Sequence, residues 1–113
     1  MNYRKYLLLD GVYLGDAVRM VLGMPPETAS SSPRDRGRYN SVLKQYGETF
    51  VATYSKDRSV VVRLDKTTER VKVNFVAWVA YMQEQGVVLP TALQAEYDRL
   101  TQKRGLAAPP SDA

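Results

Sequence analysis

The side chains whose type and spacing could carry chemistry in this sequence are cations. Arg58, Arg63, Lys66, Arg70 and Lys72 crowd a stretch rich in β-branched residues, and Arg34, Arg36 and Arg38 alternate through a polar segment interrupted by Asp35. Rows of guanidinium and ammonium groups bind phosphates or carboxylates, so both clusters point to nucleic acid or an acidic protein surface. The same cations would also keep a solvated strand edge from aggregating. The net charge of +4 sits in the first two thirds of the chain; from residue 76 onward acids match or outnumber bases.

The carboxylates offer less. Asp10 and Asp16 lie near the N-terminus, and Asp57, Asp65 and Glu69 cluster around expected hairpin turns. A carboxylate pair can hold a magnesium ion or move a proton, but nothing in the sequence aims these groups at a common pocket. The chain has no histidine and no cysteine. It therefore lacks the commonest zinc, haem and copper ligands, any thiolate nucleophile and any disulfide. Gly11, Gly15 and Gly23 match no phosphate-binding loop, and the serines at 30–32 have no evident base. The expectation is a binding protein, not an enzyme, with no cofactor and no metal.

The elements that must position the cations come next. The hairpin is set by finding the pairing that puts apolar residues on one face. An antiparallel three-stranded meander over 49–55, 59–65 and 70–75 pairs Leu64 with Val71, Val62 with Val73 and Val60 with Phe75. Lys66 to Glu69 become a four-residue loop. On the outer face Asp65 meets Arg70, while Arg63 meets Lys72. Like charges directly opposite cost about a few tenths of a kcal/mol, an arrangement that an acidic partner would explain.

Helices flank this hairpin. Leu14, Val18, Val21 and Leu22 form one apolar stripe, with Asp16 as N-cap and Gly23, Pro25 and Pro26 as the stop. Residues 24–37 read as an exposed or partly disordered loop. A second helix runs from about Arg38 to Tyr46, with Gly47 past its end. Phe50 and Tyr54 extend the Tyr39, Leu43 and Tyr46 stripe, so a longer helix is the rival to the first strand. Phe75, Val79 and Met82 mark a helix ending at Gly86. Thr91 to Gln94 read as a capping box opening a last helix with Leu93, Tyr97 and Leu100 inside. Together these predict one two-layer α+β domain over 1–104, about four helices on a small sheet, and a disordered tail over 105–113.

Eight tyrosines are many for 113 residues. Tyr39, Tyr46, Tyr54 and Tyr97 fall on apolar stripes; Tyr3, Tyr6, Tyr13 and Tyr81 are less evidently buried. Tyr81 and Trp78 are candidate aromatic contacts, although Trp78, off the Phe75/Val79/Met82 face, is expected to reach the last helix.

The apolar run Leu7 to Leu9 stops at Asp10, short of a signal sequence, and no stretch reaches membrane-spanning length. A cytoplasmic protein without membrane contact is expected. Three functions fit: a nucleic-acid-associated regulator or accessory factor using the basic hairpin face; an adaptor or inhibitor, of the kind a phage or mobile element carries, docking on an acidic surface; or an oligomeric structural component. The order helix, helix, hairpin resembles a winged helix, but lacks a third helix before the hairpin and helix–turn–helix spacing.

Overall fold

The Leu14 to Leu22 stripe forms the helix on which everything else packs. In a computed structural model of the chain, which describes residues 2–26 and 32–103, helix α2 spans Leu14–Val21 with Leu14, Ala17, Val18, Met20 and Val21 buried. Gly23, at φ 80°, ends it, a conformation glycine adopts without strain. Asp16 is not its N-cap: Tyr13 holds that position, and Asp16 pairs with Arg19 at 3.2 Å one turn on. Before it come helix α1, Tyr3–Leu7, and strand β1, Val12–Tyr13.

Two expectations about the next stretch are overturned. Part of the supposed 24–37 loop is helical: Ser32 caps helix α3, Pro33–Val42, its side chain accepting from the Asp35 amide, and Pro33 stands in the first turn where a missing N–H costs nothing. Residues 27–31 of that loop lie outside the described residues, as does the tail over 105–113.

The second correction is larger. Residues 49–55 are not a strand. A π-helical turn, Leu43–Gly47, leads from α3 directly into α4, Glu48–Tyr54. Gly47 is no stop: its φ is −64°, and an added Cβ would lie 3.2 Å from Leu43 Cδ1 and 3.3 Å from Leu14 Cδ2. It is glycine because the helix crosses α2 closely there. Four α-helical turns take about 14 residues. The stripe from Tyr39 to Tyr54 covers slightly more, and the wider π turn keeps Phe50, fully buried, on the inner side.

The sheet is antiparallel and three-stranded, with order β1-β3-β2, where β2 is Val61–Arg63 and β3 is Lys72–Val73. Its third strand is therefore Val12–Tyr13. Arg63 pairs with Lys72 as expected, but Val61, not Val62, pairs with Val73, because a bulge falls between Val61 and Arg63. One extra residue reverses the alternation below it. Val61 is buried, while Val62 and Leu64 are exposed, so the expected Leu64/Val71 and Val62/Val73 pairs do not form. Phe75 is not in a strand either. Asn74 accepts from the Ala77 amide and caps helix α5, Phe75–Glu84, which cuts β3 short. The four-residue loop becomes residues 64–71, with a 3₁₀ turn at Thr68–Arg70.

Trp78 of α5 is fully buried, with its indole N–H donating to the Ala17 carbonyl at 3.1 Å and its ring edge-on to Phe50 at 5.1 Å. It thus ties α5 to α2 and α4. Helix α6, Thr91–Lys103, buries Leu93 and packs against α1. The Gln94 side chain bonds Gln83 and Asp98, in place of the capping-box contact.

The result is an α+β domain. Among the described residues no helix is long and apolar enough to cross a membrane. With α1 and β1 in place, a helix and a strand precede α2. The join between α2 and α3 is far longer than the roughly three- to four-residue turn of a helix–turn–helix, as the sequence suggested.

Candidate nucleic-acid interface

The sheet is thin, so its two faces are sharply different. Val12, Val73 and Val61 form the inner row and are buried. The neighbouring row, Tyr13, Lys72 and Arg63, faces outward across all three strands. Arg63 and Lys72, the like-charged pair expected from sequence, are thus cross-strand partners on one face. The ammonium of Lys72 stands 5.3 Å from the Tyr13 ring centre, and the Arg70 guanidinium 5.5 Å from it. Both are within cation–π range, worth about 0.5–1 kcal/mol at an exposed site. Part of the repulsion is offset this way, with both cations drawn to one ring that is 39% exposed.

Arg58 belongs to the turn that leads into β2, where Asp57 accepts from the Ser59 amide and hydroxyl. Arg58 and Arg63 border one recess of about 280 Å³ with Val62 and Leu64, and Leu64 is 58% exposed. Lys66 is exposed in the loop beyond. Asp65 does not meet Arg70 across the strands. It accepts from the Thr67 amide at 2.9 Å and closes its own turn. Among the described residues, none of Arg58, Arg63, Lys66, Arg70 and Lys72 is in an ion pair.

Arg34, Arg36 and Arg38 are on α3, not on a flexible loop, and all three are exposed. Arg38 lies 3.8 Å from Asp35, a solvated pair of little consequence to stability. No residue of α3 is buried. What holds this helix to the hairpin is Tyr39, whose hydroxyl donates to Glu69 Oε2 at 3.2 Å, while the Arg19 guanidinium stands 4.6 Å from its ring centre. Gly15 makes room for this contact: an added Cβ would lie 2.7 Å from the Tyr39 hydroxyl and 3.3 Å from the Glu69 carbonyl oxygen. Partial burial first, and the Glu69 carboxylate second, push the Tyr39 phenol up to about 12. It stays a hydrogen-bond donor through the physiological range. The two cationic clusters are therefore joined by a three-way junction of α2, α3 and the turn before β3.

The carboxylates singled out in the sequence are spread among local tasks. Asp57 and Asp65 shape turns, Asp16 pairs with Arg19 and Glu69 accepts from Tyr39. They do not converge. The two aromatic candidates fare differently from expectation. Trp78 has no surface to offer; it is fully buried and its indole N–H bonds Ala17 of α2. Tyr81 is half-buried, its ring 5.1 Å from Phe50 and 6.0 Å from Trp78. The exposed ring is Tyr13, which the sequence placed among the less evidently buried tyrosines but did not single out as a contact. A two-residue strand shows no alternation, so its only signal was a β-branched residue followed by an aromatic one after Gly11.

No protein-family profile matches the chain, and neither a curated protein nor a solved structure matches it.

Proposed function

We propose that this chain is a small non-catalytic binding protein of the nucleic-acid-associated kind, a regulator or accessory factor that works in the cytoplasm through the outer face of its hairpin. The observation that carries this reading is the Arg63/Lys72 pair: two like charges directly opposed on the outer row of the sheet, Arg63 exposed and Lys72 half-buried, with Arg70 nearby and no acid within ion-pair distance of any of the three. Such a face lowers the energy of a polyanion brought against it and raises that of the free protein. Phosphates would displace counterions from this face, so affinity would fall steeply with salt.

A second reading has its own support. Leu64 and Val62 are exposed beside Arg58 and Arg63. An apolar anchor ringed by cations also suits an acidic protein surface, the adaptor or inhibitor alternative. The oligomer alternative gains nothing from Trp78, which is buried in the core.

Fluorescence anisotropy with short labelled DNA and RNA across a salt series tests the main reading, with the Arg63→Glu/Lys72→Glu variant alongside. Micromolar or tighter binding that weakens with salt and disappears in the variant is the expected result. Absence of binding at low salt would refute it, and capture of a defined acidic protein through the same residues would replace it.

A further inference from the structure

We infer that the nucleic acid this protein takes is double-stranded DNA, with the exposed side of α3 laid in the major groove and the loop over 64–71 against the adjoining backbone. The inference rests on the nucleic-acid reading above and adds which form is bound and which helix reads it.

Three observations carry it. The first is the shape of α3. Arg34, Arg38, Ser41 and Gln45 follow at i, i+4, i+7 and i+11 through α3 and into the π turn, and all four are exposed. That spacing puts them on one side of the helix. The opposite side, Tyr39, Val42, Leu43 and Tyr46, packs on the core. No residue of α3 is fully buried, and the side carrying Arg34 and Arg38 is left open to solvent, so that side can enter a groove wide enough for a helix. The B-form major groove is such a groove, and arginine and glutamine are suited to guanine and adenine edges there.

The second observation is the junction. Tyr39, one residue past Arg38, bonds Glu69, the neighbour of Arg70. A cationic loop is thereby held beside the helix, where it would meet phosphates flanking the groove that the helix occupies. Two cationic elements fixed relative to each other suit a stiff ligand of regular shape.

The third observation argues against a single strand. Non-specific single-strand sites stack successive bases on several exposed rings along a basic groove. Of the eight tyrosines here only Tyr13 is exposed, and both phenylalanines and the tryptophan are buried. One ring, already approached by Arg70 and Lys72, makes no platform. Double-stranded RNA fits no better, since its major groove is too narrow and deep for side chains to read.

The test compares one mixed-sequence DNA duplex, each of its separate strands and the matching RNA duplex by anisotropy at one moderate salt concentration. Selection of preferred duplexes from a randomised pool follows. The duplex is expected to bind about tenfold or more tightly than the other forms. Arg34→Ala/Arg38→Ala should cost about tenfold on the selected sequence and flatten the preference among sequences. Arg63→Ala/Lys72→Ala should weaken all duplexes alike and lower the salt dependence. Arg34, Arg38 and Arg63 are exposed and Lys72 is half-buried with its ammonium near the exposed Tyr13 ring, so circular dichroism should report an unchanged fold for both variants. Equal or tighter binding of single strands or RNA overturns the inference and leaves the nucleic-acid reading standing. Undiminished selectivity after loss of both arginines also overturns it. No binding of any form at low salt overturns both readings together.

Discussion

Replacing Gly15 by alanine should loosen the hairpin from α3, and the size of the effect follows from the contacts at that position. The new Cβ would stand 2.7 Å from the Tyr39 hydroxyl, 3.2 Å from Glu69 Cβ and 3.3 Å from the Glu69 carbonyl oxygen. The first of these is closer than carbon and oxygen tolerate, so the phenol must swing away and give up its bond to Glu69. Overpacking of this sort costs about 1–3 kcal/mol, and the lost hydrogen bond about 1 kcal/mol more. Alanine's better helix propensity returns about 1 kcal/mol, because Gly15 lies within α2. The net loss is then about 1–3 kcal/mol. With a urea m-value of about 2 kcal/mol/M for a small domain, the midpoint should fall by roughly 0.5–1.5 M. The decisive assay is a double-mutant cycle with Tyr39→Leu. Once the hydroxyl is gone, Gly15→Ala should cost little or nothing, a coupling of about 1 kcal/mol or more. An equal cost in both backgrounds, or a more stable Gly15→Ala single variant, would refute the account of this junction.

Two other outcomes follow from the same geometry. The Tyr39 phenol ionises at about 12 in the folded chain against 10.0 ordinarily, so its stabilising contribution is complete below pH 10 and is lost between pH 10 and about 12. A two-unit rise corresponds to at most about 2.7 kcal/mol; the ring is half-exposed, and screening by water reduces this to about 1 kcal/mol. Tyr39→Phe should therefore show a shallower loss of urea resistance over that window than the parent, and identical slopes would contradict the assignment. Trp78→Phe removes the buried N–H bond to Ala17 and leaves a void beside Phe50. It should cost about 2–3 kcal/mol, a fall in Tm on the order of 10 °C, with DNA affinity unchanged below the transition; lost affinity in the folded variant would place Trp78 at the interface after all.

What was legible in the sequence followed where local pattern and tertiary packing agree. The stripes of α2, α5 and α6 are regular over two turns or more, and each helix lies where its stripe predicts. Arg63 opposite Lys72 came from the apolar register, which holds at this one pair although the Leu64/Val71 and Val62/Val73 pairs beside it do not form. The misreadings have separate physical causes. Thr49 to Tyr54 have strand-like composition, yet Phe50 and Tyr54 continue a helical stripe, and Gly47 reads as punctuation when it serves a close crossing with Leu14. Propensity was overridden by packing there. The bulge at Val62 is one residue long, and nothing local marks it. Strand β1 is too short to carry a period, so the partner of β3 was sought on the wrong side of the hairpin, and Tyr13 was not singled out as a contact.

The charge asymmetry along the chain finds its reason in the packing. Helices α5 and α6 form the near-neutral part of the sequence, and they return to pack against α1 and α2. They supply Phe75, Trp78, Val79, Met82 and Leu93 to the core. With these elements covering one side, the outer side of α3 and the outer row of the sheet are left uncovered, and there the arginines and lysines of the first two thirds collect. Solubility alone would be served as well by cations scattered over α5 and α6, or by alternating signs across β2 and β3. Concentrating like charges on cross-strand partners spends stability that scattering would keep, and the Tyr39–Glu69 bond holds the arginine-bearing helix beside them. A partner whose own charges lie in regular rows, as phosphates do along a duplex, recovers that cost on binding.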